Sequence, residues 1–124
     1  MNTLMALAFL TAACLLAGRA EAASAVAMDA RGYLMTSQGQ PTKRIAIYNA
    51  LTSARQRYGV NVRLIAASDA DGYCAIAVAR NPKGGSVIAA ALGRRTQAEA
   101  DSLAIGQCIK GGGVDTTIIR RWRG

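Results

Sequence analysis

The sequence predicts an α+β domain made of two repeated ββαβ units, an antiparallel sheet with two helices packed on one face. Three observations predict it. The offset that carries Thr42 onto Thr96 also aligns Ala46 with Ala100, Ala50 with Ala104, Gly59 with Gly113, Val60 with Val114 and Ile65 with Ile119. Short apolar runs rich in Ala, Val and Ile are separated by Gly, Pro, Asn and Asp, the punctuation of strands and turns. Two longer segments each open on Thr, close on Gly and carry small apolar residues at helical spacing. The matched positions are a cap, a helix face, a terminator and a strand, so what repeats is a structural unit.

The units are expected over about residues 24–67 and 74–122. In the first, Ala25 to Met28 reads as a strand, Asp29 to Gly32 as a turn and Tyr33 to Ser37 as the returning strand. Pro41-Thr42 opens a helix that Gly59 ends, and Val60 to Ala67 closes the unit. In the second, Cys74 to Ala79 is a strand and matches Ala25-Val26-Ala27-Met28 through Ala75-Ile76-Ala77-Val78. Asn81-Pro82-Lys83-Gly84-Gly85 is turn chemistry, because Pro fixes one φ and the glycines are free to take positive φ. Ser86 to Leu92 returns. Thr96-Gln97-Ala98-Glu99 reads as a capping box, with Thr96 accepting from first-turn amides and Glu99 reaching back. The helix is expected to reach about Ile109, Gly111-Gly112-Gly113 stops it, and Val114 to Arg121 is the last strand. Ala46, Ala50 and Ala54 share one helix face, as do Ala100, Ala104 and Cys108, a spacing that lets each helix lie close to a sheet.

Residues 1–22 read as a cleavable signal peptide. An apolar run of about 14 residues from Leu4 to Ala17 is shorter than the ~20 needed to span a bilayer, and Ala20-x-Ala22 has the small residues of a cleavage site. The start has no Lys or Arg. The alternatives are an uncleaved anchor, a buried helix, or a lipoprotein signal on Cys14 that lacks the usual Leu three residues earlier. Cleavage leaves residues 23–124 as a single exported domain, periplasmic or secreted, with no membrane span. Arg19 and Glu21 cancel, so the whole net charge of +8 falls on that domain. A polyanion partner is electrostatically plausible; a charged surface that only maintains solubility is the plainer alternative. Cys74 and Cys108 remain, and an even pair in an oxidising compartment is compatible with one disulfide if the Cα atoms approach within about 7 Å.

Catalytic chemistry is largely excluded. The chain has no His, which removes His-based triads, dyads and imidazole metal sites together. Asp69-x-Asp71-Gly72 starts like a calcium loop, but Arg80 stands where the bidentate Glu belongs. Lys110-Gly111-Gly112-Gly113 follows a helix, whereas a phosphate-cradling loop precedes one. No cofactor is expected. The basic residues Arg94, Arg95, Arg120, Arg121 and Arg123, with Trp122, form a candidate basic patch able to grip phosphate and stack on a ring. The same C-terminal string also suits an edge strand guarded by charge against self-pairing.

Taken together, Cys74 to Ala77, the glycine-bearing hairpin, Thr96-Gln97-Ala98-Glu99-Ala100 and Cys108 before glycines resemble a small exported bacterial family called domain of unknown function 4189. Pro41-Thr42 matches the opening of its first helix. The resemblance covers nearly all of residues 23–124 and implies export and a two-unit fold, and it implies no activity. Ala54 and Val114 stand where that family tends to place cysteines. The expected function is a non-enzymatic binding module acting on an unknown envelope or secreted protein, inhibitor-like or immunity-like; the alternative is a basic polyanion-binding envelope protein.

Overall fold

A computed structural model describes residues 22–124. The expected leader, all but Ala22, lies outside the described residues, as does Cys14. The elements follow the order ββαβ twice: β1 (Ala23–Asp29), β2 (Leu34–Gln40), α1 (Lys43–Tyr58), β3 (Val62–Ser68), β4 (Tyr73–Arg80), β5 (Ser86–Arg94), α2 (Gln97–Lys110) and β6 (Val114–Arg123). The fold is α+β.

Each unit forms its own three-stranded antiparallel sheet, in the order β2-β1-β3 for the first and β5-β4-β6 for the second. Each sheet carries one helix on one face and turns its other face to the second sheet, so the layers run helix, sheet, sheet, helix. The central strands β1 and β4 are therefore buried on both faces. This is why they read as unbroken apolar runs and not as apolar–polar alternation.

Within those runs, residue size alternates. Ala23, Ala25 and Ala27 face Ala46, Ala50 and Ala54 of α1. Ala75, Ala77 and Ala79 face Ala100, Ala104 and Cys108 of α2. The intervening Val26, Cys74 and Ile76 meet between the sheets, together with Ala90 and Leu92. Small residues let a helix approach closely, while larger ones fill the roughly 10 Å between stacked sheets. All six helix-row residues are fully buried.

Local chemistry sets the ends of the elements. Thr42 Oγ1 accepts from the amide of Ile45, and Thr96 Oγ1 from that of Glu99, each at 3.1 Å. The reciprocal half of the expected capping box is not made. Glu99 Oε1 instead accepts from the Arg94 guanidinium at 2.7 and 3.1 Å, because a charge-assisted bond outcompetes a neutral amide. At the far end of α2, a Cβ on Gly113 would lie 2.9 Å from the Cys108 carbonyl oxygen and against Ala79, so the chain turns where only glycine fits.

Matching bulges mark the two units. Between Val26 and Ala27 the register with β3 slips past Ile65, and between Ile76 and Ala77 the register with β6 slips past Ile119. Ile65 and Ile119 are repeat equivalents, but their surroundings differ. Ile65 packs into the inter-sheet core, whereas Ile119 is 52% exposed.

Candidate binding cleft and basic surface

The difference between Ile65 and Ile119 comes from how the sandwich closes. β3 lies against β5, and the short Asp69–Gly72 connection holds that side together. There a Cβ on Gly93 would lie 2.7 Å from Ser68 Oγ and 2.8 Å from Ala70 Cβ, so glycine permits the close approach. On the other side, β2 and β6 do not approach as closely as β3 and β5, and a cleft of about 350 Å³ opens between the sheets at the hairpin end. Its apolar lining is Met28, Leu34, Val78, Ile88 and Ile119; Arg31, Gly32, Gly85 and Ser86 are among its remaining walls. Met28 pairs with Leu34, and Val78 with Ile88, so the two units contribute the same register position to opposite walls. A cavity of this size is within the range that receives a small ligand or a few side chains.

The arginine at this cleft is held in place. Asp29 is buried, and its carboxylate accepts from the backbone amides of Arg31 at 3.0 Å and Tyr33 at 2.8 Å. It also accepts from Arg31 Nε at 2.9 Å. Burial would raise the Asp29 pKa, but the Tyr33 amide and the Arg31 guanidinium and amide outweigh it and hold the carboxyl below its ordinary value of 3.8. The Arg31 guanidinium lies 4.9 Å over the Tyr33 ring, which stacks on Tyr58 of α1 at 5.3 Å. Arg31 is thus fixed through Nε and one face, and its two terminal amino groups are left for an outside acceptor. A neighbouring cavity of about 400 Å³ shares Met28 and Ala30 with the cleft and carries Val60, Asn61 and Arg63 on its wall.

The candidate basic patch is divided by the pleat of β6. Arg120 and Trp122 lie on the inter-sheet face, with the guanidinium 5.6 Å over the indole. Arg121 lies opposite Ala75 on the helix face and bonds Asp101 through Nε at 3.1 and 3.0 Å. Arg123 stacks 4.9 Å over Tyr73, which packs on that helix side. Arg94 and Arg95 lead into α2, and Arg94 is paired with Glu99 at 2.7 Å. The guanidiniums of Arg121 and Arg94, acting chiefly through their hydrogen bonds, lower the pKa of Asp101 and Glu99 respectively. Arg95, Arg120 and Arg123 make no salt bridge with the described residues. The five arginines are exposed, but Trp122 packs against the inter-sheet core, and the residues do not form one continuous anion-gripping surface.

The candidate disulfide is not formed. Cys74 and Cys108 are free thiols, both buried, on opposite faces of sheet β5-β4-β6. The period-two alternation along β4 explains it, since Cys74 points between the sheets while Cys108 packs against Ala75, Ala77 and Ala79. Cys108 Sγ donates to the Ala77 carbonyl oxygen at 3.5 Å. Burial is the main cause that pushes both thiol pKa values up, away from nucleophilic reactivity. Among the described residues, no three His, Cys, Asp or Glu side chains gather as a metal site.

Sequence reasoning missed the cleft, whose residues look individually like ordinary core. The repeat pairs Ile65 with Ile119 in the sequence, but the bulges that re-aim them and their unequal covering come from the strand register and the packing of the sheets. Comparison with protein-family models, curated proteins and solved structures finds no match. No helix among the described residues is long and apolar enough to cross a membrane.

Proposed function

We propose that this chain is an exported, non-enzymatic binding module acting on an envelope or secreted protein, inhibitor-like or immunity-like in role. The observation that carries the reading is the cleft on the open side of the sandwich, an apolar recess presented at the surface beside an oriented arginine. Aliphatic side chains beside Arg31, Ser86 and exposed backbone suit recognition by shape and desolvation together with a few directed polar contacts. Neither thiol lines it, Cys108 being buried on the helix face and Cys74 in the inter-sheet core, and the adjacent carboxylate of Asp29 is occupied by Arg31 and two backbone amides. Affinity capture from envelope extract on the immobilised protein tests the reading, with elution by a salt step and then by denaturant. One discrete protein retained through high salt is the expected result. Its absence across extracts rich in envelope and secreted proteins overturns the reading.

The second reading is a polyanion-binding envelope protein, favoured by Arg95, Arg120 and Arg123, which make no salt bridge with the described residues. Replacing Arg120, Arg121 and Arg123 by Ala should then abolish retention on heparin. Binding of that kind weakens steeply as salt rises. Unchanged retention removes this reading.

A further inference from the structure

The cleft itself has a chemistry that names the kind of segment it takes. Its floor is Met28, Leu34, Val78 and Ile88, and the bulge in β6 sets Ile119 at its mouth. A β-bulge re-aims one side chain out of the pleat, and here it leaves a large aliphatic residue half exposed where its repeat equivalent is covered. Arg31 stands at the same mouth with its Nε bound to Asp29, its ring contact on Tyr33 and its terminal amino groups available. A guanidinium held in this way loses little freedom when it accepts a carboxylate in its fork. Arg31 is the one charged residue among those that line the cleft. The whole molecule carries +8, which favours an acidic approach to this mouth.

We propose that the cleft receives an acidic segment of a partner protein, one aliphatic or aromatic side chain entering between Leu34 and Ile119 and a flanking carboxylate meeting Arg31. This rests on the binding-module reading and specifies its site and the partner's chemistry. Burial of the anchor side chain supplies the affinity, and the terminal amino groups of Arg31, with the net charge of the molecule, select acidic over basic segments.

The test is a backbone-amide NMR titration with two synthetic probes, acetyl-Glu-Leu-Glu-Phe-Glu-amide and its counterpart with Lys in place of Glu. The acidic probe is expected to shift Arg31, Gly32, Leu34, Val78, Ile88 and Ile119 saturably and to bind at least about tenfold more tightly than the basic one. That ratio corresponds to about 1.4 kcal/mol. Ile119→Glu, at a half-exposed position that leaves the core intact, should weaken the acidic probe by a similar factor. Ile119→Ala should weaken it less while leaving its preference over the basic probe. Equal binding of both probes, shifts away from the cleft, no shift at millimolar probe, or binding unchanged in Ile119→Glu each overturns the proposal. A salt-resistant partner captured equally by the parent protein and Ile119→Glu keeps the binding-module reading and overturns the cleft. Acidic-probe binding at the cleft without any captured protein does the reverse.

Discussion

Ala104→Leu should be the most damaging conservative substitution in α2. Ala104 is fully buried, and its cluster consists of Ala75, Ala77, Ala79, Ala89, Ala91, Ala100 and Cys108. Every one of these is short, and the longer side chains packed against them, Tyr73, Val87, Ile105 and Ile118, are only partly buried, so the buried row itself has little freedom to give way. Three added carbons can be housed only by lifting the helix from the sheet, which opens gaps along the whole row. Overpacking of a well-packed core costs about 1–3 kcal/mol, and this geometry belongs at the upper end. About 3 kcal/mol corresponds to a fall of about 12–24 °C in Tm for a domain of this size. With a urea m value of about 2 kcal/mol/M, the midpoint falls by about 1.5 M. Urea unfolding followed by far-UV circular dichroism measures this directly. Ser102→Leu, on the exposed side of the same helix, is the control and should stay within about 0.5 kcal/mol of the parent protein. If Ala104→Leu behaves like that control, the small-residue row is not a close-contact seam and the packing argument fails.

Three further outcomes follow from the same geometry. Gly113→Ala should destabilise more than Gly112→Ala, as read by the same urea midpoint. The first meets Ala79 and the Cys108 carbonyl, whereas the second meets nothing within 4 Å and bears only the strain of φ +87°, about 1–2 kcal/mol. Asp29→Asn should lower stability at neutral pH, and the deficit should shrink as the pH drops below 3.8, the ordinary carboxyl value. The sign follows from the lowered folded-state pKa, whose stabilisation is present above the unfolded value and lost as pH falls through the folded one. A deficit independent of pH in urea titrations across that window refutes the role given to the carboxylate. Finally, Cys74 and Cys108 should resist an aromatic disulfide reagent in the native protein and both react in guanidinium, since both are buried with raised pKa values. A mass short of two hydrogens before reduction would show a bridge instead.

Much of the architecture was legible because it is written locally. Thr42 and Thr96 cap helices through atoms three residues away, and Gly59 and the glycines after Lys110 stop them. The strand bounds moved by only a few residues: β2 runs on to Gln40 and β6 to Arg123, since ladder bonds to β1 and β4 extend strands beyond their apolar stretch. The α+β class and the twice-repeated ββαβ order needed nothing more than this punctuation. What Glu99 does was not legible, because the competing donor Arg94 is brought to it by the end of β5.

The sequence by itself determined the units: their element order, their capped helices, and the alanine rows that bring a helix near a sheet. Those depend on neighbours within a few residues and on period, and both survive in a one-dimensional record. Only the tertiary structure decided that the two sheets stack face to face, that Cys74 of β4 and Cys108 of α2 lie on opposite faces of one sheet, and that β6 splits its arginines between two surfaces. It also decided that one side of the sandwich closes along β3 and β5 while the other stays open at Leu34 and Ile119. Equivalent residues in equivalent bulges are indistinguishable in sequence. They diverge because a four-residue connection ties one side of the sandwich, and among the described residues no such connection ties the other.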